Sequence, residues 1–134
     1  MNTPLKPLTR FALIISGVVP AIFALIMIFA PGIQNSLVYP PPFEPQGRAI
    51  MLFTAASYLA FTAGMIYSLT QQDWRVAQGF LVVSGSYNIL SMVMMLVLAV
   101  TPPGVPPIGW LYFGLAIIYV ALLVFVWRQQ AGQP

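Results

Sequence analysis

The sequence has no cysteine and no histidine, and its 134 residues carry only five basic and two acidic side chains. Each shortage removes a class of chemistry. Without cysteine there is no disulfide, no thiolate nucleophile and no thiolate metal site. Without histidine the chain lacks the commonest general base, the commonest transition-metal ligand and the usual haem axial ligand. Charge this sparse cannot build a water-facing surface, since soluble domains carry roughly 25% charged residues. A net charge of +3, scattered along the chain, is also too weak to mark a nucleic-acid partner.

Apolar residues make up 60% of the chain, and they fall into four uncharged runs. Residues 11–30, 49–70, 76–100 and 110–127 each match a membrane-crossing helix, for which about 20 apolar residues suffice. The expected fold is therefore an all-α integral membrane protein: one membrane domain over residues 1–134, with four transmembrane helices in an up-down bundle. The basic head and first run have the outline of a signal peptide. The run is longer than such a core, however, and Pro31 follows Ala30 where cleavage would fall. Pro20, in mid-span, predicts a kink because it removes a backbone donor. Trp74, Trp110 and Trp127 sit at span ends as interfacial anchors, and Tyr67 and Tyr112 are expected near the interfaces too. Tyr58 and Tyr119 lie deeper, where their hydroxyls need partners.

Four spans place both termini on one side. Lys6, Arg10, Arg75 and Arg128 then share that side, opposite Arg48 alone. The positive-inside bias predicts a plasma (inner) membrane protein with cytoplasmic termini. Residues 1–10 and 128–134 read as a polar head and tail. The link over residues 31–48 contains Pro40, Pro41 and Pro42 and reads as an extended spacer or a strap for a partner.

Small residues mark helix-contact faces. Ala56, Ala60 and Gly64 recur every four residues, which permits close helix approach. Ile14-Ile15-Ser16-Gly17 and Val82-Val83-Ser84-Gly85 share a pattern in spans one and three, and each span leads into a proline-rich link. This suggests two parallel helical hairpins of common design, with Ser16, Gly17, Ser84 and Gly85 facing one another at the axis.

The polar knot of span three is the candidate site. Ser84, Asn88 and Ser91 share one helix face, with Tyr87 beside them and Met92 and Met95 extending it. With Tyr58, these residues read either as interhelical bonding, Asn88 donating to a neighbouring span, or as contacts to a small apolar ligand. The ligands that fit are a lipid, a quinone, a carotenoid or a chlorophyll-type pigment, whose magnesium Asn88 would reach directly or through water. No span contains Asp, Glu, Lys, Arg or His, although proton-coupled transporters usually hold such a group inside the membrane. Glu44 and Asp73 fall on opposite sides and cannot pair. No catalytic constellation or metal site is present, and an enzyme is not expected.

The leading functional expectation is a structural or accessory subunit that packs laterally in a larger membrane complex, holding lipids or pigments there. Its partners would be other membrane subunits or further copies of itself. The alternative is a stand-alone carrier or binder of a small apolar molecule, using the Tyr87–Asn88 region.

Overall fold

The computed structural model describes residues 3–33, 45–101, 104–105 and 107–131. The expected polyproline conformation at Pro40–Pro42 lies outside them. Four long helices account for the fold: α1 (Pro7–Phe29), α2 (Pro45–Gln71), α3 (Trp74–Ala99) and α4 (Pro107–Ala131). All four are long and apolar enough to cross a membrane. Their outer surface is equally apolar, with Phe53, Ile118 and Leu90 among many exposed side chains. A bundle in water would bury such residues, whereas lipid accepts them.

The helices begin and end where local chemistry dictates. Pro7 stands at the start of α1, where its missing N–H removes only a donor that would be orphaned anyway. Residues 7–10, expected as irregular head, are therefore helical. Between α2 and α3 only Gln72, with a positive φ of 50°, and Asp73 intervene. Asp73 caps α3 by accepting from the Arg75 amide at 3.1 Å. Helix α1 runs unbroken through Pro20. Proline there cannot donate to the Ser16 carbonyl, and the Thr62 hydroxyl of α2 donates at 3.0 Å to the adjacent Gly17 carbonyl. A neighbouring helix thus supplies a bond where proline weakens the ladder.

Helix α1 is the hub. Its buried residues Thr9, Ala12, Leu13, Ser16, Gly17, Ala24 and Met27 follow helical periodicity, and most are small. The helix packs most closely on α2 and also touches α3 and α4, whereas α2 and α4 do not meet. The small residues set this rhombic arrangement. Gly17 sits against Met65 of α2, and Gly85 of α3 against Leu123 of α4. Each hairpin therefore seats a glycine of its first helix on a long side chain of its second. Ser16, Gly17, Ser84 and Gly85 are all buried, but they do not face one another as the parallel-hairpin pattern predicts: each glycine packs within its own hairpin, and the two serines are joined only through Tyr119 of α4.

Near the chain termini the bundle is tightly closed. Leu5, Leu13, Met65, Ala77, Leu81 and Val126 form one buried cluster. Above it the N-terminal segment crosses the α2–α3 turn, with the Trp74 amide donating to the Thr3 carbonyl at 2.9 Å. The polar tail expected from residue 128 is in part helix, and Gln130 is one of the most buried residues, 2% exposed. Its Oε1 accepts from the Thr9 hydroxyl at 2.9 Å and from the Lys6 amide at 3.3 Å, and its Nε2 donates to the Pro4 carbonyl at 2.9 Å. Trp74 and Trp127 meet edge to face at 5.4 Å between centroids. At the opposite end the buried cluster among the described residues belongs to α1 and α2, formed by Ala24, Met27 and Ala55. There Arg48 closes the last turn of α1, its guanidinium donating to the Met27 and Ile28 carbonyls at 2.6 and 3.0 Å. A cation at the negative end of a helix dipole stabilises both.

Candidate ligand cleft

Because the helices pack tightly at the end holding the termini and less so beyond mid-bundle, a half-open cleft of about 520 Å³ lies between them. That volume is in the range of small-molecule sites. All four helices line it, and so do all five residues assigned from sequence to ligand or helix contact: Tyr58 on α2, and Ser84, Tyr87, Asn88 and Ser91 on α3. The spacing of Ser84, Asn88 and Ser91 on one face of α3 brings them to one wall. Met95 continues that wall, whereas Met92 does not line it.

The floor of the cleft is a cluster of hydroxyls. Tyr119 of α4 reaches between α1 and α3, bonding the Ser16 hydroxyl on one side and the Ser84 hydroxyl, at 2.8 Å, on the other. Ser16 in turn donates to the Ala12 carbonyl of its own helix at 2.6 Å. The deep tyrosine thus finds the partners that burial requires. Asn88 differs from the expected interhelical glue. Its Nδ2 donates at 2.9 Å to the Ser84 carbonyl, one turn back on the same helix. Its Oδ1 has no partner among the described residues, so the amide turns an open acceptor to the cleft.

The remaining wall is aromatic and aliphatic. Tyr87 meets Tyr58 and Phe61 edge to face, with centroids 6.2 and 5.1 Å apart. Tyr112, expected as an interfacial anchor, lines the cleft and pairs with Phe23 at 5.4 Å. Among the described residues no charged side chain lines the cleft, and no acidic, histidine or cysteine residues cluster as metal ligands. The site can therefore hold a neutral, mainly apolar molecule by shape and ring contacts, and orient it through a few polar atoms.

Of the residues assigned to helix packing, Gly17, Gly64 and Gly85 lie against another helix. Ala56 and Ala60 do not: they are exposed on the outward face of α2, and Ala55 is buried instead. The every-fourth-residue spacing drifts around the helix by about 40° per step, so a stripe that ends at a contact begins facing lipid. Sequence reasoning did not anticipate Pro20, Phe23, Phe61 or Tyr112 in the cleft wall; apolar and aromatic residues in a membrane span carry no local mark of which helix they will face. No protein-family model, curated protein or solved structure matches the chain.

Proposed function

We propose that this protein binds a small, neutral, lipid-like molecule in the cleft and holds it within the bilayer. The observation that carries this reading is the convergence of Tyr58, Ser84, Tyr87, Asn88 and Ser91 on one cleft of about 520 Å³. The open Asn88 acceptor lends further support. A residue retained only as helix glue would spend its amide on a neighbouring helix. Asn88 instead bonds its own helix and leaves the acceptor facing space that another molecule can fill. The absence of charge among the described residues of the wall disfavours ionic cargo. The clustering of Lys6, Arg10, Arg75 and Arg128 opposite Arg48 favours an orientation with the termini in the cytoplasm of a plasma membrane. The cleft then lies toward the outer half of the bilayer.

The test is native mass spectrometry of protein extracted gently from its own membranes, with lipid analysis of what is released. Wild type is expected to carry a bound apolar molecule. Asn88→Leu is expected to lose most of it while unfolding at the wild-type temperature, since its one bond is internal to α3. A wild type that carries nothing, or a variant with unchanged occupancy, would refute the proposal.

A second reading, that of a subunit in a larger assembly, has the outward face of α2 in its favour. Ala56, Ala60 and Ala63 are exposed there in a line, leaving room for another helix to approach closely. The chain has no cysteine, so Ala60→Cys provides a single cross-linking point. Cross-linking to itself or to a second protein in native membranes supports assembly, and an uncross-linked monomer argues against it.

A further inference from the structure

The hydrogen-bond pattern at the floor of the cleft specifies more than polarity. Three contacts link four groups there: Ser16 with the Ala12 carbonyl, Ser16 with Tyr119, and Tyr119 with Ser84. Each contact needs one proton, and the three hydroxyls own three. The Ala12 carbonyl can only accept, so Ser16 spends its proton there. Tyr119 must then donate to Ser16, and Ser84 must donate to Tyr119. Every donor in the cluster is committed, and the chain runs in one direction, from Ser84 through Tyr119 and Ser16 to Ala12. The Ser84 oxygen accepts from no group among the described residues. One turn along α3, the Asn88 nitrogen must face the Ser84 carbonyl, because that carbonyl too can only accept. This leaves Oδ1 as a second open acceptor beside the first.

We propose that the molecule held in this cleft ends, at the floor, in a hydroxyl group whose proton is received by Ser84 or Asn88. The inference rests on the reading that the cleft is a binding site. Two acceptors without a donor, on a floor where the hydroxyl protons are already committed, are satisfied by a group that brings a proton. A hydroxyl does so, and its own oxygen can accept the second N–H of Asn88. A ketone, quinone or ether oxygen can accept that N–H but brings no proton, and so leaves both acceptors unpaired. A carboxylate adds a charge that no cation among the described residues of the wall offsets, and an ammonium finds no anion among them. Tyr58, Tyr87, Ser91 and Tyr112 also line the cleft and carry hydroxyls that serve either role, so the discrimination is confined to the floor. Among the apolar ligands that the sequence allows, the pattern selects those ending in an alcohol, phenol or quinol over quinones and unhydroxylated carotenoids.

A matched pair of ligands tests this without any mutation. Para-nonylphenol and para-nonylanisole have nearly the same shape, and only the phenol donates a hydrogen bond. They compete for the protein in nanodiscs of zwitterionic lipid, read by native mass spectrometry and corrected for partitioning into empty discs. The phenol is expected to bind about tenfold more tightly, the order of discrimination that an unpaired buried polar group imposes. Tyr119→Phe should lower that ratio toward one. It releases the Ser84 proton from its partner and gives the anisole oxygen a donor. Ser84→Ala, which deletes an acceptor, should lower the ratio as well. Equal binding of the pair by wild type overturns the hydroxyl assignment and leaves the cleft as a binding site. Binding of neither overturns both. If the variants fail to fold, the wild-type comparison still decides.

Discussion

Replacing Gly17 by alanine adds one methyl group where the two most closely packed helices touch. The new Cβ would lie 2.5 Å from the Cβ of Met65 and 2.7 Å from its Cγ and Cε. A Cβ is fixed to its backbone, so no rotamer of Met65 clears the clash, and α1 and α2 must separate by about 1 Å to reach normal contact. That separation stretches the 3.0 Å bond from Thr62 to the Gly17 carbonyl. Overpacking costs about 1–3 kcal/mol, and a weakened interhelical bond in a membrane adds about 0.6 kcal/mol. The helix-propensity gain of alanine over glycine offsets roughly 0.8–1 kcal/mol. The net is a destabilisation on the order of 1–3 kcal/mol. At Gly64 the same methyl meets the Cδ2 and Cε2 of Phe80 at 2.7 Å, a ring edge that can swing away, and the net falls to about 0–1 kcal/mol. At Gly85 it meets only the terminal Cδ1 of Leu123 at 3.0 Å, so the substitution should be near neutral. Unfolding of the three variants in one detergent, followed by circular dichroism against temperature or denaturant, should rank them Gly17→Ala, Gly64→Ala, Gly85→Ala from least to most stable. A Gly17→Ala protein as stable as wild type would refute the argument that α1 and α2 are held in contact by the absence of that methyl group.

Other outcomes follow from the polar contacts. Gln130→Leu removes bonds to Thr9, Lys6 and Pro4 and leaves the buried Thr9 hydroxyl without this partner. A loss of about 2–3 kcal/mol is expected, with faster amide hydrogen exchange at Lys6, whereas the neighbouring Gln129→Leu should change neither. Arg48→Ala should cost about 0.5–1 kcal/mol by uncovering the Met27 and Ile28 carbonyls at the end of α1. Arg48→Lys should recover only part of this, because an ammonium keeps the charge but not the two-pronged geometry. An Arg48→Lys protein as stable as wild type would show that charge alone is responsible, and one no more stable than Arg48→Ala would show that the geometry is.

Different parts of the fold were legible to different degrees. The spans, the side on which each charge falls and the buried faces at Ser16–Gly17 and Ser84–Gly85 follow from runs and spacing in single segments. The clustering of Ser84, Asn88 and Ser91 on one wall follows from helical periodicity alone. The partner of Asn88 was not legible: an amide in a membrane span can satisfy itself on its own helix or on another, and spacing does not distinguish them. Ala56 and Ala60 looked equivalent to Gly64, and only the packing of α2 shows that they face outward. Gln130 carried no sign of burial. It lies in a polar stretch after the last apolar run, and its partners are Pro4, Lys6 and Thr9, more than 120 residues away.

What the sequence determined by itself is how each segment stands toward its surroundings. Apolar length places a segment in lipid, and charge keeps its flanks at the surface. Both are properties of a segment in its solvent and need no knowledge of the rest of the chain. The tertiary structure decided which side chains meet. Tyr119 joins α4 to α1 and α3, the helices part beyond mid-bundle to leave a cleft, and a glutamine near the end of the chain closes over its beginning. Between helices in lipid there is little hydrophobic force to rank one pairing above another. The choice falls to shape and hydrogen bonds, and these exist only once the segments are side by side.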